Sequence, residues 1–366
     1  MTRTPPLDPR LLDAVAGAWE RGWRPADLVH AVRRLEPTLV GLAAAAAVAG
    51  VEALSGRVDV PEEWRRQLRD VAGLAAGPAG AVPARPDEVL RLVLSVGRLP
   101  PLPHLGDPPS RWGAASAAGP ERVPEPPRLD SARALRRIRS LLAKAESTDF
   151  PEEAEALTAK AQELMAAHAV DSALLEAQGT CEGLTTGRHG ASGVTERRLH
   201  LEPPYLDAKM HLVQAVAATN GVRAAWFGSL GIAVAVGRPT DLDVVELLVT
   251  SLLVQAGRAL TTAGRNGDAH TRSRGFRRAF LLAYAVRIGE RLAHSRRAAT
   301  AHAAAASGTD LSPVLRHREA AVTRAFEDLF PRLRTRRTTS VDRSGWWSGR
   351  QAADSADLTR RRPLPS

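Results

Sequence analysis

The stretch DLDVVELLVTSLLVQAGRAL, Asp241 to Leu260, is apolar on nearly every side when wound as an α-helix. Such a helix has almost no face to offer water, so other elements must surround it. Thr240 stands where an N-cap is expected, and the polar run TTAGRNGDAHTRS that follows reads as a loop. The flanking sequence supplies packing partners. PPYLDAKMHLVQAVAATNGV reads as a helix that stops at Asn220-Gly221, a left-handed C-terminal signal. VRAAWF and GIAVAV are β-prone runs separated by GSL, which predicts a hairpin. RGFRRAFLLAYAVRIGERLAHSRRAATAHAAAA predicts a long helix, and PVLRHREAAVTRAFEDLF another. Residues 200–330 are therefore expected to form an α+β domain of a helix, a β-hairpin and long helices.

The N-terminal third shows the same helical spacing. Leu11, Leu12, Val15, Trp19 and Trp23 share a stripe. Pro25 and Pro61 stand where helices open, with Glu62 and Glu63 placed to meet the positive end of the second. An Ala-rich helix lies between these two, and PDEVLRLVLSVGRL follows. Residues 1–99 are expected to be a helical domain with Trp19, Trp23 and Trp64 in its core. Residues 100–129 are rich in Pro, Gly, Ser and Ala and predict a linker, in which Trp112 can dock locally. A second linker is expected over 178–199, and a basic, partly disordered tail over 331–366 in which SGWWSGRQAADSADL can add a short helix. The most apolar early run, Leu39 to Leu54, is shorter than the ~20 residues a membrane span needs. The polar, Pro-rich start has no secretory apolar core, so a soluble cytoplasmic protein without a membrane partner is expected.

Between the linkers lies a helical hairpin, residues 130–177. Asp130 caps a helix striped by Leu135, Ile138, Leu141 and Leu142; Pro151, Glu152 and Glu153 open a second, striped by Ala154, Leu157, Ala161, Leu164 and Met165. The segments RIRSLLAKAEST and EEAEALTAKAQELMAAHAVD, ending at Asp171, resemble a family of bacterial and phage proteins, DUF2786. GWRPADLVHAVRR is similar to the N-terminal region of actinobacterial members, and Leu201–Arg297 to the helix–hairpin–helices domain that commonly follows the hairpin. The resemblance implies a mainly α architecture, α+β overall, and no established reaction, cofactor or partner.

Chemistry is sparse. Cys181 is the single cysteine, which excludes an intrachain disulfide or a CxxC metal knuckle. The ten His form no HExxH, and the glycines of GSLGIAVAVGRPTD fit neither GxGxxG nor a P-loop. No catalytic, cofactor or metal residue is assigned, and no cofactor is expected. Net charge is +10, carried almost wholly by Arg, since Lys occurs only at Lys144, Lys160 and Lys209. High Ala, Gly, Pro and Arg together reflect GC-rich codon use, so only the clustering of Arg argues for a partner. One cluster is Arg133, Arg136, Arg137, Arg139 and Lys144 on the hairpin; another is Arg272, Arg274, Arg277 and Arg278, where a Gly-rich loop runs into a helix. A third is Arg332, Arg334, Arg336 and Arg337 in the tail. Guanidinium forks at such places suit phosphates. The expected function is non-enzymatic binding of DNA or RNA through its backbone. The alternatives are a helical module that docks a protein partner, and an enzyme with a site assembled from distant residues.

Overall fold

A computed structural model describes residues 7–75, 84–113, 193–267, 269–307, 312–333 and 342–356, with Arg137, Ser140 and Leu164 as isolated helical positions. The rest of the hairpin, the tail arginines Arg334, Arg336 and Arg337, and Cys181 lie outside these residues. The chain divides into two compact units, Met1–Arg122 and Val123–Ser366. The described residues form ten α-helices and one three-stranded antiparallel sheet, a mainly α protein with a small β component.

The first unit contains α1 (Pro9–Glu20), α2 (Pro25–Leu35), α3 (Val40–Ser55), α4 (Glu62–Ala75) and α5 (Pro86–Gly97). Their starts follow from local chemistry. Asp8 accepts a bond from the Arg10 N–H, and prolines open α1, α2 and α5, where no intrahelical N–H is lost. Trp19 and Trp23 are fully buried. Trp19 meets Trp64 edge-on at 5.1 Å, and Trp64 meets Trp112 at 4.9 Å.

Residues 100–113, read from sequence as the start of a linker, are packed instead. The Leu102 N–H donates to the Arg21 carbonyl at 2.9 Å, Trp23 Nε1 to the Pro100 carbonyl at 2.8 Å, and Ser110 Oγ to Glu20 at 2.7 Å. Gly22, at φ +88°, has no Cβ to collide with the Leu102 carbonyl, so the strap can lie against the end of α1. Proline-rich composition conceals such a strap, because its bonds go to other elements rather than along itself.

The second unit is built on β1 (Thr195–His200), β2 (Arg223–Phe227) and β3 (Ile232–Gly237), in the order β1-β3-β2. Around the sheet lie α6 (Leu206–Thr219), α7 (Pro239–Asn266), α8 (Arg274–Ser307), α9 (Ser312–Leu329) and α10 (Arg343–Asp354). Every residue of β3 is buried, because both faces of the sheet are covered. On one face Ala233 and Ala235 join the core with α6 and α7. On the other, Arg223 of β2 lies over Phe326 of α9, and Phe227 meets Phe330, the residue just past the end of α9.

Three sequence expectations are corrected here. The stretch 178–199 holds most of a strand: β1 pairs with β3 from Thr195↔Gly237 to His200↔Ile232. Its sequence, TERRLH, hides the strand because its charges are paired inside the fold. Arg197 bonds Asp243 and Glu246 of α7 at 2.6 and 2.8 Å, and the Glu196–Arg198 pair is buried. Helix α7 begins at Pro239, not after a Thr240 cap, and runs to Asn266 through residues read as loop. Finally, part of the 331–366 tail is core. Helix α10 lies along α8, with Gly345, Gly349 and Ala353 buried.

Among the described residues two helices, Pro37–Ser55 and Pro239–Arg265, are long and apolar enough to cross a membrane; 39% of each apolar window is buried within the protein.

A Cβ at Gly345 or Gly349 would fall within van der Waals distance of the Phe276 or Phe280 carbonyl. Gly349→Ala is expected to destabilise the second unit by about 1–3 kcal/mol, the usual cost of overpacking. Gly257→Ala, at an α7 position with open space around it, should instead be neutral or slightly stabilising. Urea denaturation curves of the two variants check both outcomes.

Candidate nucleic-acid interface

The end of α7 and the start of α8 form a basic corner. Ser273 caps α8, its hydroxyl accepting from the Phe276 N–H at 3.2 Å. The short helical turn Ala269–Arg272 precedes it, so the chain reverses sharply with its arginines outside and Phe276 and Phe280 in the core. Arg272 and Arg274 are exposed. Arg277 and Arg272 converge on Gly264 of α7: from the place a Cβ would take there, Arg277 Nη2 lies at 3.8 Å and Arg272 Cγ at 3.9 Å. Arg277 Nε is buried and has no hydrogen-bond partner among the described residues. Arg258 and Arg265, seven apart on α7 and both exposed, extend the same polarity along that helix.

Arg278 behaves differently. Its guanidinium bonds Asp207 of α6 at 2.7 Å, with both side chains about a third exposed. A ligand phosphate would compete with that carboxylate, so Arg278 contributes less than the sequence cluster suggests. Beside it, burial holds the His211 imidazole below its ordinary pKa; Asp207 opposes the shift and Arg278 adds to it. Of the hairpin cluster only Arg137 is described, and it is exposed on a helix; Arg133, Arg136, Arg139 and Lys144 lie outside the described residues. No group of three His, Cys, Asp or Glu side chains is arranged to hold a metal among the described residues.

The sequence singles out Trp346 and Trp347 as the rare aromatics that could stack a base, without telling them apart. Helix α10 is tied to the corner by Asp342, whose Oδ2 lies 3.0 Å from His270 Nε2. Trp346 packs on the core, but Trp347 is 70% exposed, one helical turn from the exposed Arg343. Nothing in the WW pair itself tells which ring faces out; the glycines on either side decide it, because Gly345 and Gly349 turn one face to α8.

A second arginine group was also invisible. Arg238 at the start of α7, Arg296 of α8 and Arg318 of α9 line a cavity of about 250 Å³ with Asp241 and Glu319. These positions are up to eighty residues apart in sequence, so no local motif announces them.

The carboxyls that anchor α10 are held below their ordinary range. For Asp342 the main cause is the Gly345 N–H, followed by Ser344. For Glu290 it is Arg350 and then Arg287, which also bridges to Asp354. A carboxyl whose folded pKa is depressed contributes stability above its unfolded value and loses it as pH falls through the folded value. The melting temperature should therefore decline gently as pH falls through about 6.5, where the unfolded chain protonates His211 more readily than the folded one, and steepen below about pH 4.5, the ordinary Glu value, as these carboxyls protonate. Glu290→Gln should flatten part of that acid limb. An acid limb of the same size in wild type and Glu290→Gln would contradict this assignment.

With this geometry in place, comparison with known proteins adds one match. Residues 133–172 match the sequence model of a protein family of unknown function, DUF2786. No curated protein and no solved structure matches the chain. The match covers Arg133, Arg136, Arg137 and Arg139 with Lys144; the first unit, and residues 193–356 of the second, lie outside it. Over residues 133–172 the chain is similar to the DUF2786 family.

Proposed function

We propose that this protein binds nucleic acid through phosphate contacts at the basic corner of α7 and α8. The observation that carries the reading is the convergence of Arg272 and Arg277 over Gly264, beside the exposed Arg274. None of the three has an ion-pair partner among the described residues, and the Arg277 Nε is buried without an acceptor. Holding cations together without carboxylates is unfavourable in the free protein, and a phosphate relieves it. Arginine offers a planar fork matched to phosphate oxygens, so the contacts are to backbone and carry little sequence information. The hairpin arginines extend the same chemistry. Trp347 adds one exposed ring on which an unpaired base can stack.

Fluorescence anisotropy with labelled single-stranded and duplex DNA and RNA, across a salt series, tests the reading. Binding should weaken steeply with salt, and each of Arg272→Ala, Arg274→Ala and Arg277→Ala should lower the slope of log K against log salt by about 1. Trp347→Ala should weaken single-strand binding by roughly 5- to 100-fold, the range for loss of one stacked base, and leave duplex binding nearly unchanged. Absence of binding at low salt, or a slope untouched by the three arginine variants, would overturn the reading.

A further inference from the structure

A cavity lies between the start of α7, the middle of α8 and α9. Its lining is unlike the rest of the interior. Arg318 is only 8% exposed, and Arg296 is half-buried with its Nη1 donating to the Thr219 carbonyl at 2.5 Å. Arg238 is the residue immediately before α7, so the cavity also meets the positive end of a helix of 28 residues. Among the described residues, three arginines and two carboxylates, Asp241 and Glu319, line a space of about 250 Å³. The groups sense one another: burial lowers the pKa of Arg296, Asp241 and Glu319 oppose that shift, and the like charge of Arg318 adds to it.

We propose that this cavity is a binding site for a single phosphate group, free or as the terminal phosphate of a small metabolite, held by Arg238, Arg296 and Arg318. The excess of one positive charge, together with the helix end, matches a compact anion. The two carboxylates exclude a strand of nucleic acid, whose successive phosphates would be repelled by Asp241 and Glu319. They also offset part of the mutual repulsion of the three arginines. A phosphate in that position accepts from more than one fork and lies near the first N–H groups of α7, the arrangement helix starts use for anions. Glu319 sits on the exposed side and limits affinity by repulsion. The site stands independently of the basic corner, since it shares no residue with it.

The test is thermal denaturation of the full chain in inorganic phosphate against sodium chloride of matched ionic strength. Phosphate at tenfold above its dissociation constant should raise the melting temperature by roughly 3–5 °C beyond the chloride control. The rise should vanish in Arg238→Gln and persist in the Arg272→Ala/Arg274→Ala double variant, which separates this cavity from the corner. Should Arg238→Gln fail to fold, Glu319→Gln decides: removing the repelling carboxylate should tighten phosphate several-fold. No rise beyond chloride, a rise equal in Arg238→Gln, a rise lost with the corner arginines, or phosphate affinity unchanged in Glu319→Gln would each overturn the proposal.

Discussion

The second unit depends on the approach of α10 to the first half of α8. Gly345 and Gly349, one turn apart on α10, place its backbone against the carbonyls of Phe276 and Phe280. With no side chain between them, the two helices meet at a distance only glycine permits. Around this contact the charged residues close. Arg287 bonds Asp354 at 2.5 Å, Arg350 bonds Glu290 at 2.9 Å, and Arg291 donates to the carbonyls of Ala353 and Ala356 at the end of α10. The consequence reaches the surface. Fixing α10 fixes Asp342 beside His270, and so the entry to α8 where the basic corner lies. The same contact turns Trp347 outward.

Arginine has a second use in this fold, at helix ends. Arg21 donates to the Val96 carbonyl at 3.0 Å near the end of α5, Arg296 to Thr219 at the end of α6, and Arg291 to the end of α10. The last carbonyls of a helix lack intrahelical donors and carry partial negative charge, so a guanidinium both bonds them and neutralises them. A chain with three lysines and 50 basic residues in all has put arginine into roles that are purely architectural. Abundance of Arg therefore says little about a ligand. What marks the corner is that several arginines meet there with no ion-pair partner among the described residues, and what marks the cavity is that Arg296, already bonded at a helix end, stands with Arg238 and Arg318 around one space.

The sheet shows how charge can be internal to a small β layer. Strand β1 alternates its charged side chains between two covered faces: Arg197 reaches Asp243 and Glu246 at the start of α7, and Glu196 and Arg198 point the other way and are buried 3.7 Å apart. The first set ties α7 to the strand next to β3. The buried pair is costly to desolvate and adds little net stability, but it penalises a register slip, which would swap the two sets between faces.

Most elements were legible because their signals are local. Proline at a helix start, Asn220-Gly221 at an end, and apolar spacing of 3.6 determined α1 to α6, α8 and α9 closely, and the β2–β3 hairpin followed from two apolar runs about a Gly-rich turn. The misses share one cause: the partner that satisfies the segment is distant in sequence. Strand β1 has charges paired with α7, the strap over 100–113 bonds to α1, and α10, whose helix the sequence did suggest, has a burial that only α8 explains. The candidate sites divide the same way. Arg272, Arg274 and Arg277 were visible as a run, because a helix start gathers neighbours in sequence. That Asp207 engages Arg278, that Trp347 and not Trp346 faces water, and that Arg238, Arg296 and Arg318 line one cavity were decided by tertiary structure alone. Electrostatic pairing acts through space, and the chain writes only its own order.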